Sequence, residues 1–294
     1  MGTDIFNGCT SISPETIIID RVMFVNERTF TDWSELTRIE IVDGITVIPQ
    51  NAFSGCSSLI EINIPESVTS IGMSAFYDCT SLEEITLPSS ITFIGGQAFW
   101  NCSALKQINI PENVTSIEND AFYNCTSLEK ITLSYGITSI GSQAFRSCKA
   151  LKQINIPESV TSIGNYAFYD CTSLEKITLS YGITSIELFA FRSCKALKQI
   201  NIPESVTSIG KGAFYDCTSL EEITLPSSIT SIEKLAFENC SALKQISIQA
   251  LTPPSIPNTD FLRLIDVIYV PTGCGELYKE TWPDYASKIQ EYSF

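Results

Sequence analysis

Sulfur is the chemistry this chain carries most of. Eleven cysteines stand among 294 residues, and nine of them fall at 56, 79, 102, 125, 148, 171, 194, 217 and 240, every interval being 23. Thiols can cross-link, hold metal or attack as nucleophiles, and the spacing speaks against each. No Cys-x-x-Cys occurs, so zinc and thioredoxin-type sites lack their pattern. If 23 residues make one turn, successive Cβ vectors lie parallel and about 4.8 Å apart, beyond the roughly 3.5–4.5 Å that a disulfide needs. The column reads as buried small apolar thiols. Cys9 and Cys274 stand outside it, either as reactive thiols or as ordinary end residues. Histidine is absent, which removes Ser-His-Asp and Cys-His nucleophile systems. Ser-x-x-Lys, the signature of penicillin-recognising serine enzymes, occurs at Ser103–Lys106, Ser127–Lys130, Ser173–Lys176 and Ser241–Lys244. An active site occurs once, so these are echoes of one column. In Glu83-Glu84 and Glu221-Glu222, neighbouring strand residues point to opposite faces and cannot act as a catalytic pair. No catalysis, metal, cofactor or small-molecule substrate is expected.

What must position these columns is a repeat. Each Cys is preceded by Ala-Phe at four and three residues, followed by Leu at three, Ile at six and Ile or Leu at eight. A tenth unit in phase begins at Trp33, with Leu36, Ile39, Ile41, Ile45 and Ile48 after it. Leu-x-x-Ile-x-Ile contains a half-buried strand of period two. The later apolar pairs are spaced by three, which suits tight arcs or single 3₁₀ turns. Gly72, Gly95, Gly141, Gly164 and Gly210 are expected to supply a bend that needs a permissive backbone. Twenty-three residues cannot close a core, but stacked coils can, with strands aligned as one parallel sheet. A period of 46 lies over the first: Arg146–Gly164 recurs identically as Arg192–Gly210, and Cys125–Ile140 as Cys171–Ile186. It makes the position four after Cys alternate through Glu83, Lys106, Glu129, Lys152, Glu175, Lys198, Glu221 and Lys244, so opposite charges are expected side by side on neighbouring turns.

The chain holds 33 acidic and 18 basic residues, a net charge of -15. Nucleic acid is therefore not an expected partner, and no segment approaches the ~20 apolar residues of a membrane helix. Two surfaces could take a protein ligand. One is the outward side of the sheet, with Asn63, Thr86, Asn109, Thr132, Asn155, Thr178 and Asn201 in one column, Lys130 and Lys176 beside it, and Tyr135 and Tyr181 just past the strands. The alternative for that face is a solvated surface whose Asn and Thr bond to one another. The other surface follows each Phe: Tyr77, Trp100, Tyr123, Arg146, Tyr169, Arg192 and Tyr215. These residue types dominate interface energetics, yet a turn apart they could satisfy each other by cation–π contact. Phe93 interrupts a column of serines (Ser70, Ser116, Ser139, Ser162) and is expected to make an exposed apolar spot near Trp100.

The unit Leu-x-x-Ile-x-Ile-Pro-x-x-Val-x-x-Ile-Gly-x-x-Ala-Phe-x-x-Cys resembles the leucine-rich repeats of BspA-like surface proteins over residues 33–290. Ile268-Tyr269-Val270-Pro271-Thr272-Gly273, with Tyr278-Lys279, Trp282-Pro283 and Tyr285, is similar to that family's closing segment. The resemblance implies a right-handed leucine-rich-repeat solenoid with a concave parallel sheet and capped ends. It also implies an extracellular or cell-surface adhesin for host or matrix proteins, the other reading being a structural spacer that presents another domain. No signal peptide opens the chain, so the sequence reads either as intracellular or as a mature form or fragment. The organisation reads as a cap or partial repeat over 1–32, the solenoid over 33–250 and a closing segment over 251–294. At the start, Thr16–Ile19 and Val22–Val25 read as a strand or hairpin-like departure. At the end, Leu277, Tyr278, Trp282, Tyr285 and Ile289 suit one face of a short helix.

Overall fold

Inward side chains recur at fixed offsets from each Cys, and the computed structural model lays every such set into one turn of a coil. It describes residues 36–294 and the backbone of two strands, Cys9–Ile12 and Thr16–Ile19. Trp33 and Val22–Val25 lie outside the described residues. The chain divides into two units, Met1–Leu151 and Lys152–Phe294.

In the first unit, Thr16–Ile19 pairs antiparallel with Cys9–Ile12 and parallel with Arg38–Ile41. Arg38–Ile41 pairs parallel with Glu61–Asn63, and Gln107–Asn109 with Lys130–Thr132, partners being 23 residues apart. In the second unit the same register joins Gln153–Asn155 to Lys176–Thr178 and Glu222–Leu225 to Gln245–Ile248. Each strand is short because its outer residues are polar and only the central Ile is buried. A second, two-residue ladder runs through Val47–Ile48, Ser70–Ile71 and Phe93–Ile94 in the first unit, and through Ser185–Ile186, Ser208–Ile209 and Ser231–Ile232 in the second. The sequence reading had only tight arcs there, because two residues are too few to display a period.

The core of each unit is a set of columns. Phe53, Phe76, Phe99, Phe122 and Phe145 stack in the first with centroids 5.3–5.6 Å apart. Phe168, Phe191, Phe214 and Phe237 stack in the second at 5.4–5.5 Å. These rings are about 1% exposed or less, and offset stacking adds about 0.5–1.5 kcal/mol per pair beyond burial.

Opposite the strands the chain makes successive turns rather than 3₁₀ helix. Two positions per turn, five before and one before Cys, take the left-handed conformation: Ser74 (φ 54°) and Asp78 (φ 60°), Gln97 (φ 59°) and Asn101 (φ 55°), Phe189 (φ 50°) and Ser193 (φ 60°). Each such residue that is not glycine costs roughly 1–2 kcal/mol. The kinks aim alternate N–H groups at the next turn, Ser74 to the Gly96 carbonyl, Phe76 to Ala98 and Asp78 to Trp100 (2.8–2.9 Å), while Tyr77 and Cys79 close local turns. Backbone groups that would be orphaned are thereby paired. The glycine expectation is corrected here. Gly72 and Gly95 have no left-handed φ; a Cβ there would lie 2.4 Å from Gln50 N and 2.5 Å from Met73 N. Close approach of the preceding turn, not a bend, is what glycine answers at these two positions, although Glu118, Glu187 and Glu233 stand in the same column.

At the end of the second unit, Val267–Pro271 and Ile289–Tyr292 extend the sheet. The expected helix is shorter than its apolar pattern: α1 spans Gly275–Thr281, a 3₁₀ helix spans Pro283–Lys288, and Ile289 opens the last strand. Pro283 cannot continue the ladder. Tyr278, Trp282, Tyr285 and Ile289 are buried while Leu277 is exposed. The Tyr278 hydroxyl donates to the Ala250 carbonyl at 2.8 Å, tying α1 to the repeats.

Candidate binding surface

Alternation within each strand turns the residues five and seven after Cys outward, and the structure leaves them there. In the first unit Asn63, Thr86, Asn109, Lys130 and Thr132 are exposed, as are Asn155, Lys176, Thr178 and Asn201 in the second. Tyr135 is 79% and Tyr181 68% exposed. No Asn–Thr side-chain bond forms across either face among the described residues. Each face is a lawn of exposed amides, hydroxyls and ammonium groups.

Away from it, hydroxyls are engaged. Thr69 and Thr92 donate to the carbonyls of Thr46 and Thr69, Ser67 to Ile45, and Ser228 to Val206. Ser103 and Ser241, two of the Ser-x-x-Lys serines, donate to Thr80 and Thr218 carbonyls, which commits hydroxyls that a nucleophile would need free. Asn101 accepts from Asn124 at 2.6 Å and donates to Asp78 at 2.7 Å. Hydroxyls and amides, rather than charge, dress this surface.

The alternating Glu and Lys column is in register but makes a single ion pair of the kind expected within either unit: Lys106 Nζ lies 2.6 Å from Glu83 Oε2. The Glu83 carboxylate raises the Lys106 ammonium above its usual value. Lys244 turns instead to the Leu264 carbonyl at 3.4 Å. Exposed pairs gain too little to hold two long side chains together.

The column after Phe is half-buried and largely occupied with itself. Trp100 stacks on Tyr123 at 3.8 Å and on Tyr77 at 5.7 Å, and the Arg146 guanidinium lies 5.2 Å from the Tyr123 centroid. In the second unit Arg192 is 5.2 Å from Tyr169 and 4.7 Å from Tyr215. Tyr166 and Phe189, five before Cys, join this cluster, Arg192 lying 5.2 Å from the Phe189 ring. They were missed, although two aromatics on consecutive turns of a polar column were a visible signal. Phe93 is 47% exposed and stacks on no ring among the described residues, so it does not join the Tyr77–Trp100–Tyr123 stack.

The ladder thiols are reduced and buried, and Cys274 is reduced and half-buried. The S–H groups of Cys79, Cys102, Cys125, Cys148, Cys194, Cys217 and Cys240 donate to the Phe carbonyl of the preceding turn, as from Cys102 to Phe76, at 3.0–3.2 Å. Burial pushes the Cys56 and Cys240 thiols up to about 12, and those of Cys79, Cys102, Cys125, Cys194 and Cys217 well above the ordinary range. A thiol so held is a poor nucleophile and a poor metal ligand. Among the described residues no three His, Cys, Asp or Glu side chains converge as a metal site, and no helix is long and apolar enough to cross a membrane.

Comparison with known proteins agrees with this geometry. The family model described as BspA type leucine rich repeat region (6 copies) matches residues 1–106, 46–171, 94–206 and 138–264. No curated protein matches the chain. Among solved structures, a leucine-rich repeat protein from Bacteroides ovatus is 24% identical with a TM-score of 0.57, over 96% of this chain and 92% of that one. The pneumococcal vaccine antigen PcpA is 20% identical with a TM-score of 0.51, over 88% of this chain and 67% of that one. A leucine rich cell surface protein from Faecalibacterium prausnitzii is 28% identical with a TM-score of 0.40, over 86% and 87%. The first two likenesses speak for the repeat-solenoid fold. Proteins of this fold generally bind other proteins and are generally not enzymes. The overlapping matches from residue 1 to residue 264, together with the 23-residue turn built in both units, mean that this chain belongs to the BspA-type leucine-rich repeat family.

Proposed function

We propose that the protein is a non-enzymatic binding module, at the cell surface or outside the cell, whose strand faces contact host or matrix proteins. The observation that carries this reading is the contrast between engaged and free polar groups. Hydroxyls and amides on the turns are tied to neighbouring turns, whereas the strand-face column, Lys130 and Lys176 stand exposed on a backbone fixed by ladder bonds, with Tyr135 and Tyr181 exposed just past the strands. Free donors and acceptors on a rigid face can bond a partner with little ordering cost. Family membership supports protein binding and a surface location. The Tyr, Trp and Arg column remains a proposed second contact through ring edges, since its faces are already stacked.

Two triple variants test the assignment, N109A/K130A/T132A in the first unit and N155A/K176A/T178A in the second. Against a panel of immobilised matrix proteins, at least one variant is expected to weaken binding by about tenfold or more, with the thermal transition unchanged. Wild-type binding by both overturns the strand-face reading.

A further inference from the structure

At the C-terminal ends of the last four strands of the second unit lies a depression of about 470 Å³, lined by Glu204, Ser227, Gln249, Thr272, Tyr292 and Phe294 among others. Its volume is within the usual range of ligand sites. Glu204 is held from one side: its Oε2 accepts the Ser227 N–H at 3.1 Å and the Ser227 hydroxyl at 2.9 Å. No described group donates to its Oε1. Tyr292 is 53% and Phe294 49% exposed. The Tyr292 ring meets Tyr269 at a tilt of 54° and Phe294 edge-on at 65°, with both centroids 5.3 Å away.

The lining therefore offers an immobilised carboxylate with an open oxygen, beside half-exposed aromatic residues. It contains no Lys or Arg. The adjoining segments 156–162, 179–185, 202–208 and 225–231 contain no basic residue either, their charges being Glu158 and Glu204. Gln249, Thr272, Tyr292 and Ser293 bring donors as well as acceptors, and the Glu204 carboxylate is the one charged side chain of the lining. An anionic ligand is repelled. A neutral sugar, bringing as many acceptors as donors, leaves the carboxylate's charge unanswered. A guanidinium brings five donors, no acceptor, a permanent positive charge and a flat face that stacks on aromatic rings.

We propose that this depression receives an arginine side chain presented by a protein partner, its plane against Tyr292 and its N–H groups on Glu204. The inference goes beyond the strand-face reading and does not depend on it, since the probe is a single amino acid rather than a matrix protein. The probe is Nα-acetyl-arginine methylamide, titrated by calorimetry into the full chain. Saturable one-to-one binding is expected, weakened roughly tenfold by Glu204→Gln and severalfold by Tyr292→Ala. Glu158→Gln, which alters a carboxylate of the same unit bonded to the Tyr181 N–H at 3.1 Å, should leave the affinity unchanged. Three results overturn the proposal: no saturable binding, equal loss with Glu158→Gln (diffuse attraction to an acidic protein), or an uncharged disaccharide binding there while the arginine probe does not.

Discussion

A thiol in this protein is defined by the carbonyl it faces. The S–H···O=C contacts of 3.0–3.2 Å pair the Phe carbonyl of one turn with the Cys of the next, and burial raises the thiols above the ordinary value of 9.0. The folded state therefore keeps protons that the unfolded state releases above pH ~9. The stabilisation is complete below that pH and is lost as pH rises toward the folded values. Each affected thiol should lower the unfolding free energy by about 1 kcal/mol between pH 8 and pH 10, measurable by denaturant titration at the two pH values. Maleimide labelling at pH 8 should meanwhile modify Cys274 well before any ladder Cys. A flat pH profile would mean that the thiols ionise in place. The burial of Cys and Phe was legible in the sequence because a column repeated at 23 residues has one environment. The Phe carbonyl as acceptor was not, since no side-chain pattern reports where a backbone oxygen points.

At the scale of one turn, the shape comes from paired left-handed residues. Asn101 has φ 55° and also links Asp78 to Asn124. Asn101→Gly removes the side-chain bonds but keeps the conformation available, whereas Asn101→Val adds β-branched strain in the left-handed region. The valine variant should therefore be less stable than the glycine variant by about 1–2 kcal/mol in equilibrium unfolding. Equal stabilities would show that the left-handed kink is not what these turns depend on. Asn, Asp, Ser and Gly at the position before Cys made that kink readable in principle. Gln97, Tyr166, Phe189 and Leu235 at the other kink, all with positive φ, gave no such hint: the hydrogen bond to the next turn imposes the conformation against local preference. The glycine column was read for the wrong reason, because its cause is the backbone of another turn. The Glu and Lys column was read correctly as a register and too generously as contacts, exposed side chains being free to prefer water.

At the scale of the whole molecule, repetition makes turns interchangeable. Removing Cys171–Asp216, two turns within the second unit, joins Asp170 to Cys217 and recreates the native Asp-Cys-Thr-Ser-Leu-Glu sequence. Stability in such stacks is nearly a sum over turns and their interfaces. The shortened chain should fold with strand-type circular dichroism and a smaller denaturant m-value, and an unfolded product would refute interchangeability. The repeat fold and the outward columns were legible because period determines which side chains face out. The depression beside Glu204 was not, because it forms where repeat turns meet the closing strands. Binding is assigned to the strand face, and a photo-crosslinking amino acid placed there tests that assignment most directly. With the probe at Asn109 or Thr178, irradiation of the complex with a bound matrix protein should give a covalent adduct, and with the probe at the exposed turn residue Lys195 it should not. An adduct from position 195 and none from 109 or 178 would contradict the account.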